Sequence, residues 1–162
     1  MLTPKEIKQQ ALSKQKENKK FLNKLRNKSS REIDKQFHHA HETIFACTNC
    51  LSCANCCKTT GPLFTNKDIE RIATHLKMKQ QQFIEKYLKI DEDNDYVLQK
   101  VPCAFLGEDN YCSIYEKRPK ACREYPHTDR VKQHQLFSLT LKNTTVCPAV
   151  YNILEDLKEG IK

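Results

Sequence analysis

Tryptophan is absent, and glycine occurs only three times in 162 residues. So few glycines leave no Gly-x-Gly-x-x-Gly loop to cradle a dinucleotide, which excludes nucleotide-cofactor chemistry of that kind. No apolar run approaches the roughly 20 residues needed to span a bilayer. The opening Met1-Leu2-Thr3-Pro4-Lys5-Glu6 has no apolar signal core. These absences lead us to expect a soluble, cytoplasmic chain with no membrane partner. Hydrophobic residues make up 38% of the chain, so its core is modest, and a bound metal would contribute directly to folding free energy.

Positive charge is abundant but uneven. The net charge is +8, and residues 1–37 hold 11 Lys/Arg against 4 Asp/Glu, which places +7 of it there. The sequence therefore divides into a basic helical N-terminal extension, 1–37, and a nearly charge-balanced domain, 38–162. That second part is not itself a basic platform for nucleic acid.

Cysteine is what this sequence has in excess: nine, five of them within Cys47–Cys57. In Cys50-x-x-Cys53-x-x-Cys56-Cys57, thiolates on a tight loop can face one ion, and soft sulfur ligands select zinc, copper(I) or iron–sulfur chemistry. A disulfide framework is the competing reading. A vicinal Cys56-Cys57 pair makes a poor disulfide, however, and an odd count leaves one thiol over.

Around this loop the periodicity is mostly helical. Residues 3–28 read as one weakly apolar, solvated helix opened by the capping box Thr3-Pro4-Lys5-Glu6. A second helix begins at Ser29-Ser30-Arg31-Glu32, with Ile33, Phe37, Ala40 and Ile44 in a stripe. His38, His39 and His41 ride on it, and surface positions are expected for them. Thr65-Asn66-Lys67-Asp68 caps a helix with Ile69, Ile72, Ala73 and Leu76, and another spans residues 79–89. Asp91–Asp95 resembles a calcium loop only in its first acids, because Tyr96 and Pro102 stand where Gly and Glu are needed, so a solvated turn is expected. Strands are expected at 96–101 and 135–141. A hairpin over 102–115 would bring Cys103 and Cys112 to either side of Gly107–Asn110. Cys122 falls in a short helix bounded by Pro119 and Pro126, flanked by Arg118 and Arg123. Cys147-Pro148 opens the last helix, a position that favours a thiolate. The resulting fold class is α+β, a mainly helical small domain with a short β-hairpin, organised around a cysteine metal centre.

Three blocks in order carry a family likeness: Cys50-x2-Cys53-x2-Cys56-Cys57, then Pro102-Cys103-Ala104-Phe105-Leu106, then Cys112-Ser113-Ile114-Tyr115-Glu116-x-Arg118-Pro119-x2-Cys122-Arg123-x-Tyr125-Pro126. The pattern resembles the YkgJ-type cysteine-cluster family, named for CxxCxxCC and described as zinc- or iron-chelating, over about residues 45–155. The resemblance implies a metal-chelating domain. Related cysteine patterns in flagellin lysine methylases imply iron–sulfur chemistry in some relatives. Ala54 stands where many members have Gly, and Cys47 is additional to the motif.

With Cys47 set aside, eight thiolates remain as expected metal ligands: Cys50, Cys53, Cys56, Cys57, Cys103, Cys112, Cys122 and Cys147. Eight suit two sites of four, and adjacent Cys56 and Cys57 should serve different sites. The Cys50/Cys53/Cys56 spacing and Cys147-Pro148 match a ferredoxin-type run, favouring an iron–sulfur cluster over zinc. Zinc is the structural alternative. A second class of function is a zinc-stabilised module whose basic segment docks on nucleic acid or a protein partner. A third is metal-dependent catalysis, with Arg123, Tyr125 and His127 as the nearest candidates and no catalytic residue assigned.

Overall fold

The structure is a computed structural model describing residues 2–160. The chain forms two compact units: the first runs to Cys50 and resumes at Pro126, and the second is Leu51–Tyr125. The architecture is mainly helical α+β, as expected, with one small antiparallel sheet. Among the described residues no helix is long and apolar enough to cross a membrane.

The first unit starts with α1 (Pro4–Ser13) and α2 (Gln15–Leu25). The Thr3/Glu6 capping box forms, with Glu6 Oε2 accepting the Thr3 N–H at 2.7 Å. The single helix expected over 3–28 is interrupted at Lys14, whose backbone leaves helical geometry (φ −92°, ψ 5°). Nor are these helices merely solvated. Ile7 and Ala11 pack with Tyr151, while Leu22 and Leu25 join the main core. Ion pairs add to this packing, Lys14 with Glu155 at 2.6 Å and Glu17 with Lys158 at 2.6 Å.

Helix α3 (Ser30–Phe45) buries the expected Ile33, Phe37 and Ala40, and residue 37, where the charge balance changes, lies inside it. Ser29 caps it by accepting the Glu32 N–H. The strand expected at 135–141 is instead a 3-10 turn (Gln133–Leu136) leading into α9 (Phe137–Asn143). Phe137, Thr140 and Asn143 are its buried positions, a spacing of three that the alternation of Phe137, Leu139 and Leu141 concealed. Phe137 stacks on Phe37 with ring centroids 5.9 Å apart. Asp34 anchors the turn by accepting the N–H groups of Lys132 and Gln133, each at 2.8 Å. The last helix, α10 (Pro148–Gly160), starts directly after Cys147 as expected and contributes Ile153, Leu154 and Leu157 to the core.

The second unit contains α5 (Asn55–Thr59), β1 (Leu63–Phe64), α6 (Asn66–His75), α7 (Gln80–Tyr87), β2 (Leu88–Ile90), β3 (Tyr96–Leu98) and α8 (Lys120–Glu124). The short helix α4 (Cys50–Cys53) begins on the last residue of the first unit and continues into the second. The sheet order is β1-β3-β2, with Leu88 opposite Leu98 and Phe64 opposite Tyr96. The β2–β3 hairpin turns through Asp91–Asp95. There the Asp91 carboxylate accepts the N–H groups of Asp93 and Asp95, so the acidic run is a backbone turn.

Phe83 is fully buried at the centre of this unit, with the rings of Phe64, Tyr87 and Phe105 at 6.0, 5.2 and 6.2 Å. Burying a side chain of this size is worth roughly 1.5–3 kcal/mol. The same core holds Phe105 and Ile114, and so fixes the segments that carry Cys103 and Cys112. The hairpin expected there is only a tight turn. Leu106 and Cys112 form one isolated bridge, and the Tyr111 carbonyl accepts the Gly107 N–H at 2.8 Å.

Candidate metal centre

The cysteine loop is two short helices broken at Ala54, which adopts a left-handed backbone (φ 47°, ψ 18°) and is nearly buried. This break ends α4 after Cys53 and starts α5, which carries Cys56 and Cys57. Their sulfurs are 4.0 Å apart, and none of the nine cysteines is in a disulfide.

Four thiols of the second unit form one electrostatic neighbourhood. Cys103 and Cys112 both feel the charge of Cys57, and Cys122 feels all three. The backbone builds this grouping. The Cys57 carbonyl accepts the Cys103 N–H at 2.8 Å, which ties α5 to the distal loop. The amides of Phe105 and Leu106 hydrogen-bond to the Cys103 sulfur, and that of Ile114 to Cys112. Amide groups aimed at sulfur stabilise thiolates, the form that binds metal.

Protonation is uneven within the group. The hydrogen bond from Cys56, helped by the cations Arg118 and Lys58 and opposed by burial, holds Cys57 at about 7. Burial pushes Cys103 and Cys112 up, against their amide hydrogen bonds. Cys122 is pushed up to about 12, first by burial and then by the charges of Cys57, Cys103 and Cys112. Arg118 is the cation that opposes this repulsion at Cys57, Cys112 and Cys122. Its own guanidinium lies 3.6 Å from the Tyr115 ring centroid and donates through Nε to the Tyr115 carbonyl at 2.8 Å. Four partly buried thiols that resist joint ionisation are a set whose charge a multivalent cation would relieve. Among the described residues, no three His, Cys, Asp or Glu side chains are so placed that they could hold a metal ion without moving. The donor set is soft, reduced and fourfold, which fits zinc or iron.

The other expected site residues are placed as follows. Cys53 and Cys56 also lie in the second unit, whereas Cys50 ends the first unit and Cys147 belongs to it. The Cys147 N–H donates to the Asn143 carbonyl at 2.8 Å. Cys47 is exposed, with its thiol directed at the Ile44 carbonyl 3.3 Å away. His38 pairs with Glu42 at 3.2 Å. His41 is half-buried, stacks on Phe45, and has Nδ1 2.8 Å from the Thr128 hydroxyl. Arg123 lies on α8 and Tyr125 follows it, both in the second unit, while His127 (φ 66°) lies in the first.

Sequence reasoning missed two residues that the structure makes prominent. Asp68, expected only as a helix cap, also accepts from Arg71 at 2.7 Å and from the Lys120 N–H at 3.1 Å. Arg71 reaches on to the carbonyls of Lys117 and Arg118. The only sequence signal was an Asp and an Arg three apart on one helix face.

Residues 46–148 match the family CxxCxxCC, described as "Putative zinc- or iron-chelating domain". An uncharacterized protein of Methanocaldococcus jannaschii is 32% identical over 93 residues, covering 54% of this chain. The chain spans about half the length of that curated relative, 49% of it. No solved structure matches. With well over half of its length matched, all four thiols of the electrostatic group included, the chain belongs to the CxxCxxCC family of zinc- or iron-chelating domains.

Proposed function

We propose that this chain is a cytoplasmic metal-chelating protein in which Cys57, Cys103, Cys112 and Cys122 form one four-thiolate site. The bond from the Cys103 N–H to the Cys57 carbonyl carries the reading, and the mutual charge influence of the four thiols within the second unit supports it. Rotation of the thiol side chains would complete the enclosure. The amides of Phe105, Leu106 and Ile114 orient and stabilise the sulfurs, and Arg118 offsets their charge. Cys50, Cys53, Cys56 and Cys147 are the remaining proposed ligands. Assigning Cys57 to the distal thiols agrees with the expectation that it and Cys56 serve different sites.

The proposed occupant is iron as an iron–sulfur cluster, on the strength of the ferredoxin-like Cys50/Cys53/Cys56 spacing. Such a cluster supplies electron-transfer or Lewis-acid chemistry, whereas zinc held by four thiolates supplies structural closure. Anaerobic purification with visible absorbance, iron, sulfide and zinc analysis tests both levels of the proposal. Brown protein with iron and sulfide supports the cluster. Colourless protein with stoichiometric zinc supports chelation and overturns the iron assignment. Protein that binds neither metal in reducing buffer overturns chelation itself.

A further inference from the structure

Resting on the four-thiolate site just proposed, we infer that Asp68 and Arg71 are positioning residues that set Cys122 and Arg118 for metal capture. Both lie on α6, outside the cysteine motif, and their hydrogen bonds run to oxygens and amides rather than to a thiol. Asp68 is almost wholly buried, its side chain 2% exposed. Its two oxygens have four donors. The Thr65 N–H and hydroxyl reach Oδ2 at 2.9 and 2.8 Å, while Arg71 and the Lys120 N–H reach Oδ1 at 2.7 and 3.1 Å. A helix cap needs only the first two.

The other two contacts run to the segment that carries Cys122. Arg71 Nη2 donates to the carbonyls of Lys117 and Arg118 at 3.3 and 2.8 Å. Asp68 holds the first amide of α8, and the Pro119 carbonyl then accepts the Cys122 N–H at 3.0 Å. Residues 117–120 are therefore gripped on both sides of Pro119, through two carbonyls and one amide. Cys122 follows two residues later, and Arg118 is itself one of the gripped residues. One ion pair thus fixes the backbone on which both Cys122 and Arg118 sit.

Stability alone is a poor reason for this pair. A buried carboxylate–guanidinium pair is often no better than packed apolar side chains, because desolvation offsets the attraction. What it does provide is directional: the planar guanidinium holds one nitrogen, Nη2, against the Asp68 carboxylate and the two carbonyls, a placement that a flexible lysine ammonium does not reproduce. Partners beyond the ligands that orient a metal site are worth about 10- to 100-fold in affinity.

The test is Co(II) titration of the reduced full-length protein, with competing chelator to set affinity and the thiolate-to-cobalt absorption as a reporter of sulfur count. Arg71→Lys keeps the charge and removes the planar guanidinium that holds Nη2 in place. We expect it to weaken Co(II) binding about 10-fold and to lower the charge-transfer intensity per cobalt. Asp68→Asn should do the same. In a Cys122→Ser background, where there is no thiol to position, the Arg71→Lys loss should shrink to less than about two-fold, a coupling expected of residues acting through one another. Equal losses in both backgrounds, or unchanged affinity and spectrum, overturn the inference while leaving four-thiolate chelation intact. Wild-type protein that takes no Co(II) through its thiols overturns the chelating reading first, and this inference with it. Circular dichroism of each metal-free variant separates loss of fold from loss of positioning.

Discussion

The amide of Cys103 donates to the carbonyl of Cys57 at 2.8 Å, although 46 positions separate them. This contact joins the Cys56-Cys57 pair to a loop that the Phe83 cluster holds in place through Phe105. Metal capture and core packing are thereby linked: whatever gathers these thiols also fixes α5 against the second unit's core.

Metal removal should therefore cost stability. Binding energy at a site that the unfolded chain lacks is folding energy. Stripping the metal under reducing conditions should lower the melting temperature by more than about 10 °C, since several kcal/mol each shift a domain of this size by a few degrees. Far-ultraviolet circular dichroism followed against temperature measures it. Superimposable curves with and without metal would contradict the linkage.

Single cysteine substitutions should divide sharply. Cys47 is exposed and bonds only within its own helix end. Cys47→Ser should leave metal stoichiometry unchanged, whereas Cys53→Ser and Cys112→Ser should each lower it. Metal-to-protein ratio by elemental analysis decides the matter, and a loss in Cys47→Ser equal to the others would redraw the ligand set.

Ala54 offers a test of backbone strain. Its left-handed conformation (φ 47°) is one that Gly adopts freely and a Cβ disfavours by roughly 1–2 kcal/mol. Against this, the buried methyl contributes packing, and Gly loses more backbone entropy on folding, about 0.5–1 kcal/mol. Ala54→Gly should consequently be within about 1 kcal/mol of wild type in urea unfolding, on either side. Ala54→Val, β-branched, should destabilise by about 2 kcal/mol or more, because such residues are genuine outliers at positive φ. Equal midpoints for the Val and Gly variants would show that the turn is not strained.

How far the sequence disclosed this follows from what kind of signal each feature carries. Capping boxes and apolar stripes are local, so the start of α1 and helices α3, α6 and α10 were legible within a few residues, as was the turn at Asp91, whereas the break at Lys14 was not. β2 was not, because Leu88–Ile90 extends a helical apolar pattern and owes its strand geometry to pairing with β3. α9 was misread for the converse reason: Leu136–Leu141 has strand composition, yet Phe37 and the turn fixed by Asp34 impose a helix. The motif cysteines stood out by spacing. The bond from Cys57 to Cys103 and the grip of Arg71 on Lys117 and Arg118 have no local signature, since they exist only after the chain has folded back.

Asp68 should also report on acid stability. Burial raises its carboxyl, but the Thr65 amide, Arg71, the Thr65 hydroxyl and the Lys120 amide together more than offset this, and the net shift is downward. A carboxylate whose folded value lies below its unfolded value, about 3.9, stabilises the fold above that value. Its contribution fades as pH falls through the folded value. The gap in melting temperature between wild type and Asp68→Asn should then be constant from about pH 7 to pH 5 and narrow below about pH 4. A gap independent of pH down to 3 would assign Asp68 a purely steric role.

Thiol reactivity in the metal-free protein should follow the uneven protonation of the cluster. Cys57 is held at about 7, chiefly by the hydrogen bond from Cys56, with Arg118 and Lys58 adding positive charge against burial. Cys122 is pushed up to about 12 by burial and by its neighbours' negative charge. Only the thiolate is nucleophilic, so at pH 7 about half of Cys57 is competent and essentially none of Cys122. Limiting iodoacetamide should therefore label Cys57 well ahead of Cys122, with a labelling rate that climbs through a midpoint near 7. Arg118→Gln removes one cation from beside Cys57, Cys112 and Cys122, so it should move that midpoint upward and slow labelling at pH 7. Lys58→Gln should act in the same direction at Cys57, while leaving Cys122 unreactive. Peptide mapping by mass spectrometry reads every cysteine in one experiment. Labelling of Cys122 before Cys57, or a midpoint that ignores Arg118, would mean that these charges do not govern the thiols, and the electrostatic case for a cation at their centre would fail with it.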